Sequence, residues 1–413
     1  MEDLAKSSLP VIKVIGVGGG GCNAVDRMIE NEVTDVEFIA LNTDSQVLFY
    51  SQADMKIELG RKATAGLGAG MRPEVGRQAA EEALDELEDA IRGADMVFIT
   101  AGEGGGTGTG AAPVVAEVAK KVGALTIGVV THPFRFEGKR RMDYAVEGTE
   151  KLREVCDAVI IVKNQNLLKL EEGRLTAAEA FLAADRVLVN GVRGISDLVT
   201  KPGIVNTDFA DVRTVLADAG TALMGIGVAK GEDRAIKATQ AALESPLIDM
   251  SIQGATGVLV NISGAVSQMG ITEQEDAIGV IAELAHPDAN IIYGLSNDEN
   301  LGDEMRVTIV ATGFDAEQER FDAAANNATA TTNDPNSTLF NETSGSTTNT
   351  GLFGDSPAPA PAAEPISYRD EAPRYRDEAP RYREERREDS YSRRGDDGGM
   401  YAPKRRNIDI PWG

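Results

Sequence analysis

Two glycine-rich stretches carry the clearest chemistry in this chain. One reads AGEGGGTGTGAAP over 101–113, with six glycines in its first ten positions; the other reads GVGGGGCNAV over 16–25. Glycine inside regular structure costs about 0.5–1 kcal/mol relative to alanine, so such density has to serve something other than stability. Each stretch follows an apolar run and opens a helical pattern. A helix N-terminus offers free backbone N–H groups and a partial positive charge, both suited to anions. Without a Cβ the backbone can close on phosphate oxygens, and the hydroxyls of Thr107 and Thr109 add donors. Both stretches therefore read as phosphate cradles.

The class of phosphate ligand narrows from there. The pattern G-x-x-x-x-G-K-[ST] is absent, which excludes a P-loop. Gly16, Gly18 and Gly21 satisfy G-x-G-x-x-G, and Asp44 could serve as the ribose acid of a dinucleotide fold. A nicotinamide-dependent oxidoreductase is thus one reading, although that fold needs no second cradle. Glu137 and Arg141, four apart, are either a helical pair worth about 0.2–0.5 kcal/mol or polar contacts beside the cradle. Phe181 and Asp185 share one helix face; taken alone, Phe181 reads as core. In NTDFAD, Asp208 and Asp211 are an N-cap and its capping box, or acids for hydrolysis. No first-half loop supplies an obvious base, and His132 and His286 are the two histidines.

These groups need elements to hold them. From Val11 onward, apolar runs such as VIKVIGV, VEFIALN, MVFIT, ALTIGVV and DAVIIVK alternate with helical patterns. That alternation predicts an α/β fold with a doubly wound, Rossmann-like parallel sheet covered on both faces. Pro73 opens and Gly93 closes a single predicted helix, and another runs from about Ala111 to Lys121. A long helix over 176–203 forms a central spine between a nucleotide-binding domain (11–175) and a second α/β domain (204–316). Within the second domain, TEQE from Thr272 predicts a capping box. Residues 1–10 read as an N-terminal tail, and 317–405 are too polar to bury a core and are expected to be disordered. YRDEAPR occurs there twice, at 368–374 and 375–381. The last segment, RNIDIPWG (406–413), turns apolar again and reads as a docking peptide on a flexible tether spanning roughly 50–55 Å.

The totals bound the partners. Net charge is -25, and residues outside 317–413 hold 28 Lys/Arg against 48 Asp/Glu, which argues against nucleic acid. Cys22 and Cys156 cannot build a disulfide framework and fit a reducing cytosol. No apolar run approaches the ~20 residues of a membrane span, and the first residues lack a signal-peptide layout. The expectation is an acidic cytoplasmic protein with no direct membrane insertion.

GVGGGGCNAV (16–25), GLGAG (66–70), GGGTGTG (104–110), FEGKRR (136–141) and NTDFADVRTVL (206–216), in this order, resemble the tubulin superfamily in its bacterial cell-division branch. The resemblance runs almost continuously over 11–316. It implies a GTPase, taking GTP and GDP with Mg²⁺ and no protein metal site, that polymerises head to tail into a division ring at mid-cell. Gly19, Gly20, Gly21, Cys22 and Asn23 would wrap the inner phosphates; Gly106, Thr107, Gly108 and Thr109 would hold the terminal ones. Glu137 and Arg141 match ribose and phosphate contacts, while Asn164, Phe181 and Asp185 match a guanine pocket. Asn206, Asp208 and Asp211 would enter the site of the next subunit and polarise the attacking water. Ile408, Asp409, Ile410 and Pro411 resemble the docking motif for a membrane-tethering adaptor and other division proteins. Glu103 stands where the family commonly has methionine, adding negative charge near the phosphates unless it points away. A non-hydrolysing scaffold, with Asp208 and Asp211 as mere caps, is the other reading.

Overall fold

Five apolar runs of the first half become parallel strands, and a sixth joins them. The computed structural model describes residues 9–170, 175–201, 205, 207–248, 251–265, 267 and 269–314. In the first half lie β1 (Ile12–Val17), β2 (Glu37–Asn42), β3 (Met55–Glu58), β4 (Met96–Gly102), β5 (Leu125–His132) and β6 (Ala158–Lys163). Their order is β3-β2-β1-β4-β5-β6, and every neighbouring pair is parallel. The connecting helices are α1 (Gly18–Glu30), α2 (Ser45–Tyr50), α3 (Pro73–Glu81), α4 (Leu84–Ile91), α5 (Thr107–Lys121), α6 (Lys139–Val155) and α7 (Asn164–Leu170).

Strand side chains alternate faces, so each strand feeds two cores. Val14 and Phe98 join Ala24, Val25 and Met28 of α1, whereas Ile15, Val97 and Ile99 join Ala79, Leu87 and Val115 of α3, α4 and α5. The spine helix α8 (Ala177–Thr200) packs Val192, Ile195 and Leu198 into the first of these cores. Its N-cap, Thr176, forms a reciprocal capping box with Glu179. Each fully buried aliphatic side chain contributes about 1.5–3 kcal/mol, which is how the sheet is held between its helical layers.

The second half continues the same sheet. After α9 (Phe209–Leu216) come β7 (Gly220–Lys230), α10 (Arg234–Leu243), β8 (Gly257–Gly264), α11 (Ile271–Leu284), β9 (Asn290–Asn297) and β10 (Glu304–Thr312). β7 pairs with β6 in parallel, and β10 runs antiparallel between β7 and β8. Asp157 fastens this junction: its carboxylate accepts from Lys120 Nζ and from the Thr126 N–H, both at 2.8 Å, and its carbonyl accepts from Gly220 N–H at 2.9 Å.

Four sequence expectations change. The 73–93 helix breaks at Glu82–Ala83 into α3 and α4, and the second piece turns to bury Leu87, Ala90 and Ile91. α1 and α5 begin at Gly18 and Thr107, so Gly18–Gly21 and Gly108 with Gly110 fall in the first helical turns, while Gly104–Gly106 stay in the turn before α5. The α11 cap moves from Thr272 to Gly270, whose N–H donates to Glu273 at 2.8 Å. The short α2 and β3 carry too little periodicity to be foreseen. Asn206, all but Leu9 and Pro10 of the N-terminal tail, the 317–405 span and the docking peptide with Ile408, Asp409, Ile410 and Pro411 lie outside the described residues. Among the described residues no helix is long and apolar enough to cross a membrane.

Candidate functional site

A sheet ordered 3-2-1-4-5-6 reverses its winding between β1 and β4, and a crevice opens at the carboxyl ends of those strands. Both glycine stretches emerge there. The cleft is about 550 Å³, and it is lined by Gly19, Gly20 and Asn23 of α1 and by the 105–108 turn entering α5. The end of β2 adds Asn42, Thr43 and Asp44, and the 68–71 loop forms a further wall. Asn164, Phe181 and Asp185 line it from α7 and α8, and Glu137 and Arg141 from the approach to α6.

The glycines divide into two kinds. A Cβ built on Gly21 would lie 2.3 Å from the Thr100 carbonyl oxygen, and one on Gly108 would lie 2.7 Å from the Gly102 carbonyl oxygen. These two let helices touch strands. A Cβ on Gly19 or Gly105 would meet nothing within 4 Å, although both residues line the cleft. No packing contact explains glycine at those two positions; the open space they leave suits a ligand pressed against the backbone.

Gly21, Cys22 and Thr109, predicted as nucleotide contacts, do not line the cleft. Gly21 and Cys22 are buried against β1 and β4, with the Cys22 thiol facing the Leu41 carbonyl at 3.6 Å and pushed by burial up to about 12. The Thr109 hydroxyl turns inward and accepts from the Gly104 N–H at 2.8 Å. Their neighbours face the cleft because α1 and α5 begin early, and one helical turn cannot direct consecutive side chains the same way.

At the opposite end the polar and aromatic groups converge. Phe181, 44% exposed, meets Phe134 and Phe136 edge-on, with ring centroids 5.4 and 6.4 Å away. Burial raises the Asp185 carboxyl to about 6, against the pull of the positive Arg27. Asn164 is buried with Oδ1 lacking a hydrogen bond, an orphaned acceptor in the cleft wall. Glu137 accepts from the Phe134 N–H at 2.9 Å and pairs with Arg141 at 2.5 Å, which fixes the carboxylate against the aromatic cluster. Sequence reasoning missed Phe136 and the Thr43–Thr107 hydroxyl contact at 2.6 Å. The aromatic pair in PFRFEG and the polar LNTD at the end of β2 were the available signals.

Glu103 belongs to a cleft-lining turn, but its carboxyl lies against Gly148 of α6 rather than opening into the cleft. It is buried, both carboxyl oxygens lack a hydrogen-bond partner, and desolvation raises it to about 8. Asp208 and Asp211 lie elsewhere. Both are exposed, neither lines the cleft, and Asp208 Oδ1 accepts from the Asp211 N–H at 2.8 Å as a helix cap. Among the described residues no group of three His, Cys, Asp or Glu could hold a metal ion.

Comparison with known proteins supplies the rest. Residues 11–172 match the Tubulin/FtsZ family GTPase domain, and residues 220–315 match the FtsZ family C-terminal domain. An empty FtsZ dimer from M. jannaschii is similar at 43% identity, over 76% of this chain and 91% of that one, with a TM-score of 0.74. A tryptophan-to-tyrosine FtsZ mutant from M. jannaschii gives 43% identity, 76% and 93% coverage and a TM-score of 0.72. CetZ2 from Haloferax volcanii, in a GTPγS-bound protofilament, shares the fold at 21% identity, 78% and 99% coverage and a TM-score of 0.65.

Proposed function

The chain belongs to the FtsZ family of tubulin-like GTPases, and from that premise we propose that it polymerises head to tail into filaments of a division ring, with the cleft holding the nucleotide. The observation that carries this reading is one cleft with two unlike ends. Gly19 and Gly105 leave space against bare backbone at one end, and Asn164, Phe181 and Asp185 gather at the other. Phosphates take the first end, where two helix N-termini present N–H groups. Guanine takes the second: its N1–H and amino group donate to the Asp185 carboxylate, while adenine would present an acceptor there. Phe181 supplies a face for the base, and Glu137 and Arg141 stand at the ribose and phosphates.

Gly21, Cys22 and Thr109 support the cradle from beneath rather than touching the ligand. Mg²⁺ binds through substrate phosphates and keeps several waters, which agrees with a cleft lacking a carboxylate cluster. The hydroxyl of Thr107 and the carboxylate of Asp44 are the oxygen donors that would hold its water shell, and the ion would neutralise charge on the transferring phosphoryl group.

Water activation falls, in this reading, to the adjacent subunit. The exposed Asp208 and Asp211, fixed on the first turn of α9, fill that role from the next subunit, with Asn206 beside them in sequence. Hydrolysis would then remove a phosphate from the interface and loosen it, coupling one chemical step to disassembly. The FtsZ dimer among the similar structures supports self-association. The division into a GTPase domain (11–175), spine (176–203) and second domain (204–316), and the 406–413 peptide as dock for a membrane-tethering adaptor, complete the reading. Removing 406–413 is expected to abolish recruitment to the mid-cell membrane in cells while sparing hydrolysis.

The direct test is GTP turnover per molecule against protein concentration with Mg²⁺. Turnover that is negligible when dilute and climbs above a threshold supports a site built between subunits. Asp211→Ala is expected to lower turnover about 100-fold while GTP binding persists. A flat, nonzero specific rate would remove Asp208 and Asp211 from the reaction.

A further inference from the structure

Glu103 is a buried acid that the nucleotide chemistry above leaves without a task. It opens the turn after β4, is 4% exposed and lines the cleft beside Gly102 and Gly105. Its N–H donates to the Thr131 carbonyl of β5 at 2.9 Å, which fixes the backbone at this position. From α6, Gly148 closes over it: a Cβ there would lie 2.5 Å from Glu103 Oε2 and 2.5 Å from the Thr109 methyl. Both carboxyl oxygens are enclosed without a hydrogen-bond partner.

The charged and titratable groups on the surrounding elements are otherwise engaged. On α6, Arg141 pairs with Glu137 and Lys151 with Glu147; on β5, His132 Nε2 bonds the Thr149 hydroxyl at 2.8 Å. Glu117 of α5 lies in the outer groove between α3, α5 and α6, and α1 presents only glycines and Asn23 to the cleft. Among the described residues no cation pairs with Glu103, and a nucleotide bound in the cleft would add negative charge on the other side of the wall that holds it.

We propose that Glu103 must hold a proton for nucleotide to bind: it serves as a neutral carboxylic acid in the phosphate wall, and its ionisation expels the nucleotide. The inference rests on the reading of the cleft as the GTP site. Its oxygens are enclosed and reach no ligand, so its charge is what acts: neutral, it leaves the phosphates undisturbed, whereas an unscreened carboxylate behind the wall repels them. Burial, opposed only by the Thr109 hydroxyl, moves the titration to about 8. Above that pH, binding one nucleotide transfers one proton from buffer to the Glu103 carboxylate; below it, none moves. Glu103 is a positioning residue, and Asp208 and Asp211 keep the hydrolytic role.

The test is calorimetric titration of the full-length, nucleotide-free chain with GDP between pH 7 and 9.5, in two buffers of different ionisation enthalpy. GDP avoids hydrolysis, and its phosphates are almost fully ionised across this range. Wild-type affinity should fall about tenfold between pH 7 and 9, with proton uptake approaching one per site near pH 9. Glu103→Gln should bind with flat affinity and no proton uptake; Glu103→Met repeats the test if the glutamine variant misfolds. Equal pH dependence in wild type and either variant, or no proton uptake by wild type, overturns the proposal. If wild type fails to bind GDP at pH 7, the reading of the cleft itself falls.

Discussion

Asp157 and Glu103 are both buried carboxylates, 5% and 4% exposed, yet their surroundings are opposite. Asp157 sits where the two halves of the sheet meet and is satisfied by the ammonium of Lys120 and the backbone of β5. Glu103 sits where the sheet opens, and its carboxyl oxygens make no hydrogen bond, with only the Thr109 hydroxyl acting on them. A buried polar group left unpaired costs about 1–3 kcal/mol, more when charged, so a fold keeps one only where something else is gained. The junction spends its polar atoms on holding strands together; the cleft wall leaves the Glu103 carboxyl and Asn164 Oδ1 without a hydrogen bond.

Two substitutions probe this contrast. Asp157→Ala should be the most damaging to the fold, losing about 2–4 kcal/mol and about 5–10 °C in Tm by calorimetry, because it strands a backbone N–H and breaks an ion pair. Lys120 reaches solvent, which keeps the loss below that of a fully buried pair. Glu103→Met should go the other way. The carboxyl titrates near 4.5 unfolded and about 8 folded, so between those values the unfolded chain binds fewer protons. Wild-type stability therefore falls as pH rises across that window, and the methionine variant should melt a few degrees higher at pH 8, with the gap closing by pH 4.5. A loss of Tm in the methionine variant at pH 8 would make Glu103 structural and erase its difference from Asp157.

Gly105→Val fills space that no packing atom occupies. GDP affinity should drop about 100-fold, ~2.7 kcal/mol, while Tm moves by no more than about 2 °C. A large loss of Tm would assign that glycine to the fold. Asp185→Asn should have the smallest effect, about tenfold weaker GDP binding at pH 7.5. Wild-type affinity should also weaken as pH falls through about 6, where Asp185 gains its proton, and the asparagine variant should lose that limb. Asp185 must be ionised and Glu103 protonated, so wild-type GDP binding should peak between about 6 and 8. A profile flat on both sides would break both assignments.

Much of the fold was legible because its signals are local. Apolar runs alternating with helical patterns, and Pro73 at a helix start, are read within a few residues and reappear in place. The site was legible in outline for the same reason, since loops at strand ends must lie at one edge of a parallel sheet. The break at Glu82–Ala83 was not, because nothing in EEALDE forbids helix; burial of Leu87 and Ile91 decides it. Phe136 escaped notice because its contact with Phe181 joins residues far apart in the chain.

The sequence by itself determined the alternation of elements, the two cradles, the acidic balance and the membership of a family. Those depend on residue type and spacing, which survive without coordinates. Only the tertiary structure decided which glycine packs a helix and which faces the open cleft: Gly19 and Gly21 are the same letter two positions apart, one open and one 2.3 Å from a carbonyl oxygen. It likewise decided that Asp157 is an anchored carboxylate and Glu103 a stranded acid. Packing and desolvation are sums over neighbours brought in from several elements, and no short stretch of sequence contains that sum.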